Sequence, residues 1–149
     1  MPADFTEHEN PARMVVLIIV TCGIYSLYLL YKWIRAINAT EPKPLFHPGL
    51  AIFLTLITGG IASIYFQYEI VKRIVEISKR DPPNGVERDP SMKPPMNNLK
   101  EIVLYGNIAA FAASIFSSGI LTVFAFVYFL WLTCAIQSGL EYAFATPQD

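Results

Sequence analysis

Three long stretches without a charged side chain constrain this chain more than any other feature. They contain no Asp, Glu, Lys or Arg over 18, 25 and 39 residues, at 14–31, 44–68 and 102–140. A helix needs about 20 apolar residues to cross the hydrocarbon layer, whereas uncharged runs of about 10–14 residues are typical of buried core helices. We therefore predict an all-α integral membrane protein. The alternative is a soluble helical protein with unusually buried helices.

Composition and charge agree with this prediction. Charged residues make up 15% of the chain, against roughly 25% in ordinary globular proteins. The net charge of −1 provides no attraction to nucleic acid, so membrane lipids are the expected partner. The acidic start MPADFTEHEN lacks the positive region of a secretory signal. The first apolar stretch is therefore expected to be retained.

One phrase occurs twice: TCGIYSLYLLY at 21–31 returns as TGGIASIYFQY at 58–68. Aligning 15–38 with 52–75 gives eight identities in 24 positions. Shared apolar composition does not explain matched Thr, Gly, Ser and Tyr residues in register. We infer an internal duplication of one helical unit.

The apolar stretches and proline positions predict the order of segments. A helix covering all of 102–140 would be about 58 Å long, against roughly 30 Å of hydrocarbon. Ser117-Ser118-Gly119 is therefore predicted to divide it, with one tilted or kinked helix as the alternative. The expected result is about four short transmembrane helices. The predicted segments are a polar tail 1–12, repeated units 13–38 and 50–80, a Pro-rich loop 81–98, a helical hairpin 99–142 and a tail 143–149.

The repeated Thr-x-Gly predicts a kink or a close-packing notch within each unit. Glycine lets a helix bend or lets another backbone approach, and a Thr hydroxyl can bond to the carbonyl one turn earlier. The predicted notch residues are Thr21, Gly23, Thr58, Gly59 and Gly60.

Aromatic and basic residues follow the notch in both units. Amphipathic rings favour the headgroup boundary. The predicted interfacial residues are Tyr28, Tyr31, Trp33, Tyr65 and Tyr68. The second unit continues into a charged amphipathic helix at 69–80, which either projects into water or lies on an anionic lipid surface. Its predicted lipid-surface basic residues are Lys72, Arg73, Lys79 and Arg80.

The repeated phrase resembles the T-x-G-I-Y-x-x-Y-W-x-Y signature of an uncharacterised family of small bacterial membrane proteins. Leu29 stands where that family usually has Trp, and Ala62 and Phe66 depart further in the second copy. The resemblance covers mainly 13–80 and implies a bacterial origin and a multi-span fold, without an activity or site residues. The matching positions are Thr21, Gly23, Ile24, Tyr25, Tyr28 and Tyr31.

Two topologies are consistent with the charges. Four spans with both termini inside place eight basic residues inside and three outside. One re-entrant unit that turns at Thr-x-Gly places ten inside, which the positive-inside rule prefers. The length of the uncharged stretches favours four spans. We expect a multi-pass protein of the bacterial inner membrane with the loop 69–101 in the cytoplasm.

Small residues recur every four positions in the third apolar stretch. Such stripes let helices pack closely in lipid. The neighbour is either the fourth helix of this chain or another subunit. The predicted helix-packing residues are Gly106, Ala110, Ser114 and Ser118.

Catalytic chemistry is not indicated. No charged residue lies in the middle of an apolar stretch, as a proton relay or ion pump usually requires. His8 and His47 have no metal-ligand spacing, and no nucleophile motif surrounds a serine. We predict no enzyme activity, catalytic residue, metal or cofactor. Some polar residues lie deep in the stretches, where they either bond helices together or line a pathway: Thr21, Thr55, Thr58, Gln67, Asn107, Thr133 and Gln137.

These features predict a structural or accessory subunit that packs in a larger membrane complex or in a homo-oligomer. The alternative is a small channel or transporter built on the broken-helix repeat.

Overall fold

The computed structural model describes residues 10–21, 23–80, 82, 87–116 and 119–144. Within these residues the chain forms six α-helices and no strand, so the all-α prediction is confirmed. The predicted number of four helices is wrong, because each repeated unit consists of a short helix and a longer one. The helices are α1 Pro11–Val20, α2 Ile24–Thr40, α3 Pro48–Ile57, α4 Ile61–Ser78, α5 Leu99–Phe116 and α6 Ile120–Ala143.

The two short helices begin in the same way. Asn10 accepts a backbone N–H at 2.9 Å before α1, and His47 Nδ1 accepts one at 3.3 Å before α3. Pro11 and Pro48 then take the first helical position, where a missing N–H costs nothing. Both pairs of positions are offset by 37 residues, as the repeated phrase is. The structural repeat therefore begins before the aligned range 15–38, and Pro11 and Pro48 add an identity outside that range.

The three long helices α2, α4 and α6 run in the same direction. Glu41, just after α2, contacts Arg80, just after α4, at 3.5 Å. Arg88 donates to carbonyls near the ends of both α4 and α6. Near the other end, Ser26 and Ser63 line one cavity. Four single-helix spans would require the two copies to run in opposite directions; they run in the same direction because each copy holds two helices instead of one.

The hydrophobic core lies where the later parts of the long helices pack together. Buried side chains recur every three or four residues on each helix, the spacing that places them on one face. Complete burial of such a side chain contributes about 1.5–3 kcal/mol. The core residues include Ile34 and Ile37 on α2, Phe66, Ile70, Ile74 and Ile77 on α4, and Leu132, Ile136 and Leu140 on α6.

At the other end of the long helices, the chain passes from α1 to α2, from α3 to α4 and from α5 to α6; we call these three places the links, and the helices that they join the helix pairs. Large apolar side chains are exposed next to the links, and Phe116 reaches 86% exposure. We call this the link-end surface. Among the described helices, α6 alone is long and apolar enough to cross a membrane, and only 22% of its most apolar stretch is buried. α1 and α3 are apolar but about 15 Å long. The link-end surface comprises Val20, Ile24, Leu56, Ile57, Ile61, Phe116, Ile120 and Phe124, each more than half exposed.

The small-residue stripe brings α5 against α6 of the same chain at Gly106. A Cβ there would overlap the Tyr128 ring, whose hydroxyl donates to the Ile102 carbonyl at 3.2 Å. Ala110 is half-buried one turn further along. Ser118 and the side chain of Ser114 lie outside the described residues.

The basic residues of α4 divide into two groups. Lys72 and Lys79 are exposed. Arg73 and Arg80 each contact Glu41 Oε2 at 3.5 Å, and the Glu41 side chain is only 7% exposed. The two arginines therefore tie the charged end of α4 to the end of α2.

Candidate functional site

The repeated break is built around one threonine hydroxyl in each copy. Thr21 Oγ1 donates to the carbonyl four residues earlier at 2.7 Å and accepts the N–H four residues later at 3.0 Å. Thr58 makes the same two bonds at 2.8 and 3.0 Å. One hydroxyl thus connects the last turn of a short helix to the first turn of a long one.

Glycines close the break. The N–H of Gly23 bonds the Ile18 carbonyl at 2.9 Å, and that of Gly60 bonds the Thr55 carbonyl at 2.8 Å. This six-residue closure ends each short helix as in a Schellman motif. Gly23 and Gly60 have φ of +91° and +97°, and Gly59 has +62°. Cys22, the first-copy counterpart of Gly59, lies outside the described residues.

The structure therefore replaces the predicted kink with a complete helix break. Within the described chain no helix packs closely on these glycines, since a Cβ added at Gly23, Gly59 or Gly60 would meet nothing within 4 Å. These glycines supply a left-handed backbone conformation instead of a surface for another helix.

The first turns of α2 and α4 have no spare backbone donors. The N–H groups of residues 24–26 bond Thr21 O, Thr21 Oγ1 and Gly23 O at 3.0–3.1 Å. Residues 61–63 repeat these bonds at 3.0–3.4 Å. An anion at a helix N-terminus needs free N–H groups, so neither terminus offers an anion site.

Two adjacent cavities lie beside the breaks. The first, about 170 Å³, lies among α2, α3, α4 and α6 and has room for roughly five water molecules. The second, about 220 Å³, lies among α4, α5 and α6 and is more open. They share Gly60, Ser63, Gln67 and Phe129. The polar residues of the first cavity are Ser26, Thr55, Ser63, Gln67 and Thr133.

A hydrogen-bonded pair of side-chain amides joins α4 to α5 at the second cavity. Asn107 Nδ2 on α5 donates to Gln67 Oε1 on α4 at 2.7 Å. This contact is one of the interhelical bonds that deep polar residues were expected to make. Whichever way the two amides are oriented, one carbonyl oxygen and at least one N–H remain available to a molecule in the cavity.

Trp33 differs from its prediction as an interfacial residue, because it is buried and only 2% exposed. Its Nε1 donates to Gln137 Oε1 on α6 at 2.7 Å, and Gln137 Nε2 donates to Glu141 Oε1 at 2.8 Å. Lys32 is buried beside it on α2. Sequence reasoning missed this polar network. The sequence feature that could have indicated this network is the spacing of Gln137 and Glu141, which are one turn apart on one face of a helix.

The predicted interfacial tyrosines occupy two environments. Tyr28 and Tyr65, at equivalent repeat positions, are 52% and 55% exposed. Tyr31 and Tyr68, also equivalent, are half-buried. The exposed pair lies one turn from the link-end surface. Among the described residues, no group of three His, Cys, Asp or Glu side chains could hold a metal ion.

The breaks lie inside a recognised sequence domain. A family model described as a domain of unknown function, DUF4234, matches residues 9–76. Residues 9–76 are thus similar to the DUF4234 domain. The resemblance to an uncharacterised family is thereby confirmed for this range. No curated protein and no solved structure matches the chain.

The DUF4234 domain includes α1, α2, α3 and nearly all of α4, and therefore both breaks. α5 and α6 follow it. The first cavity combines the DUF4234 domain with Thr133 and Phe129 of α6, so the rest of the chain completes the site.

The threonine at the second break of the DUF4234 domain provides a test of the break. Thr58→Val is expected to lower the free energy of unfolding by about 0.5–2 kcal/mol, because it leaves a backbone N–H and a carbonyl without their partner. Thermal unfolding followed by circular dichroism measures the loss. Thr58→Ser retains the hydroxyl and serves as the control. Equal stability of the Val and Ser variants would contradict the capping role.

The buried hydrogen bond between Trp33 and Gln137, which joins the DUF4234 domain to α6, can be tested in the same way. Gln137→Leu is expected to lower the free energy of unfolding by about 1–3 kcal/mol, because the Trp33 N–H loses its acceptor. In a double-mutant cycle with Trp33→Phe, we expect a coupling energy of at least 0.5 kcal/mol. Additive losses would show that the bond between Trp33 and Gln137 does not contribute.

Proposed function

We propose that the protein is a non-enzymatic integral membrane protein that acts as a structural or accessory subunit. In this role it packs against partner subunits or against other copies of itself. The observation that carries the proposal is the link-end surface, where large apolar side chains stand exposed around all three links. Monomers in water rarely expose so large an apolar patch, and lipid or a partner removes the cost of hydrating it.

In the proposed topology, three helix pairs enter the lipid from the same side, with their links deepest. α6 reaches across the layer and α5, about 27 Å long, runs back beside it, whereas α1 and α3, about 15 Å long, reach about halfway. Two spans and two re-entrant pairs then replace four spans. The polar ends at Glu41, Arg73 and Arg80 remain at the cytoplasmic face of the bacterial inner membrane, together with the loop 69–101.

The hydrogen bonding at the breaks supports re-entrant pairs. Irregular backbone at membrane depth is tolerated only where its polar groups are satisfied. The Thr21 and Thr58 hydroxyls and the six-residue closures provide those bonds at both breaks.

Exposed aromatic side chains on α5 and α6 support a packing role. Tyr105, Phe126 and Trp131 are 69%, 46% and 43% exposed. Aromatic side chains are enriched in protein interfaces because they bury large areas at low entropic cost. We propose that these aromatic side chains contact other subunits.

Native mass after extraction in mild detergent tests the accessory role. We expect the chain in the membrane fraction, and in detergent a particle larger than one chain with its micelle. Tyr105→Ala with Trp131→Ala should reduce that mass to the monomer, whereas exposed Lys79→Ala should not. A monomeric wild type overturns the accessory role, and a folded protein in buffer without detergent overturns the membrane proposal.

A small channel or transporter is the second candidate, favoured by the two adjacent cavities of about 170 and 220 Å³ beside the breaks. Purified protein in liposomes should then pass a small solute. Gln67→Leu should slow the passage, because it removes the amide shared by both cavities. Liposomes that remain impermeable would leave the accessory role as the surviving candidate.

A further inference from the structure

We infer that the two adjacent cavities bind a small uncharged solute with several hydrogen-bond donors, of the polyhydric alcohol class. The inference goes beyond the accessory role. It rests on the lining of the cavities, and it holds whether or not the solute crosses the membrane.

The hydroxyl groups of the first cavity act as acceptors toward a ligand. Ser26 and Ser63 each bond the carbonyl three residues earlier at 2.5 Å. Thr55 and Thr133 bond the carbonyl four residues earlier at 2.8 and 2.9 Å. A carbonyl oxygen has no hydrogen, so each hydroxyl must be the donor. The lone pairs that remain on the four oxygens can only accept hydrogen bonds, so they select a ligand that donates.

Charge argues against an ionic ligand. Among the described residues, none that lines either cavity is charged. Ser26 and Ser63 lie in the first turns of α2 and α4, where the helix dipoles place a positive potential that disfavours a cation. The same first turns have no spare N–H to hold an anion. A neutral molecule is the remaining class.

The amide pair gives the site a second type of contact. Gln67 and Asn107 use one donor and one acceptor on each other, at 2.7 Å. One amide carbonyl and an amide N–H remain, among the described residues, without a partner. A hydroxyl group both donates and accepts, so it can use both. An array of hydroxyls in a ligand therefore matches the acceptors of the first cavity and the mixed amides of the second.

The internal repeat suggests a substitution at Gln67, because the equivalent position in the first copy carries a different residue in the same kind of helix. Gln67 in the second copy corresponds to Leu30 in the first, and both line the first cavity. Gln67→Leu therefore removes the amide by introducing the residue that the other copy carries. Ser78 on the same helix also donates to a carbonyl three residues earlier, at 2.8 Å, and does not line either cavity. Ser78→Ala is thus a matched control for Ser63→Ala.

The experiment uses the full chain in detergent with glycerol as the probe. The chain has two tryptophans, so Trp131→Phe leaves Trp33, which lines the first cavity, as the only indole reporter. Its emission is followed during titration with glycerol, methylammonium or acetate. We expect a saturable response to glycerol at lower concentrations than to either ion.

The variants then locate the site. Thr55→Val with Ser63→Ala should weaken glycerol binding about 25-fold, at about fivefold for each lost hydrogen bond, and Gln67→Leu about fivefold. Ser78→Ala should leave it unchanged. Three results would overturn the inference: no saturable response to glycerol, tighter binding of either ion, or unchanged binding by a folded Gln67→Leu variant. None depends on native mass, so the accessory role can fail independently.

Discussion

Substituting Gly60 with alanine is expected to lower the free energy of unfolding by about 1–2 kcal/mol, the cost of a left-handed conformation for a residue with a Cβ. Gly60 has φ of +97°, and a Cβ there would meet no atom within 4 Å. The loss is therefore one of backbone conformation and not of packing. Thermal unfolding in detergent, followed by circular dichroism, measures it.

The equivalent glycine in the first copy should behave in the same way. Gly23 has φ of +91°, so Gly23→Ala is expected to cost a similar amount, and the double variant about 2–4 kcal/mol. Gly49→Ala is the matched control, because Gly49 lies in the first turn of α3 without a positive φ. If Gly60→Ala proves as stable as Gly49→Ala, the break does not depend on the left-handed residue.

Replacing Arg88 with alanine is expected to lower the free energy of unfolding by about 2–4 kcal/mol. Its Nε donates to the Tyr142 carbonyl at 2.9 Å, and one Nη donates to the Arg80 carbonyl at 2.8 Å. The guanidinium also lies 4.8 Å from the centroid of the Tyr142 ring. The last carbonyls of a helix have no partner within it, so one side chain satisfies the ends of α4 and α6 together.

Two variants separate the geometry of Arg88 from its charge. Arg88→Lys keeps the charge but lacks the planar fork that reaches several carbonyls, so it should recover less than half of the loss. Lys93→Ala removes an exposed charge from the same loop and should change the stability by less than 0.5 kcal/mol. Full recovery by lysine would show that charge near the helix ends suffices.

The helical class follows from the sequence, but the helix breaks do not. Apolar stretches and an internal repeat predicted membrane-type helices, and Thr-x-Gly marked the place where each helix changes. Sequence periodicity is the same on both sides of a break, so a kink and a complete break give the same pattern. The difference lies in the Thr21 and Thr58 hydroxyls, which bond both flanking helices, and in the positive φ of Gly23 and Gly60.

The candidate site was only partly predictable for a related reason. Ser26 and Ser63 appear in the sequence as repeat identities, and Gln67, Thr55 and Thr133 as deep polar residues, but only tertiary packing brings them to one cavity. Lys32 and Trp33 have the composition of a membrane boundary, and the network with Gln137 and Glu141, more than 100 positions later, buries them. Arg88 lies in a Pro-rich loop without periodicity, and its partners belong to two distant helices.

The shared direction of α2 and α4 has a consequence for the origin of the chain. Units that point the same way are related by rotation about an axis along the helices, whereas inverted repeats need an axis across them. An ancestor with a single unit of 37 residues could therefore have paired side by side with its twin as a cyclic dimer, with Ser26 and its counterpart facing one hollow. Gene fusion would have joined the twins without reversing the direction of either one.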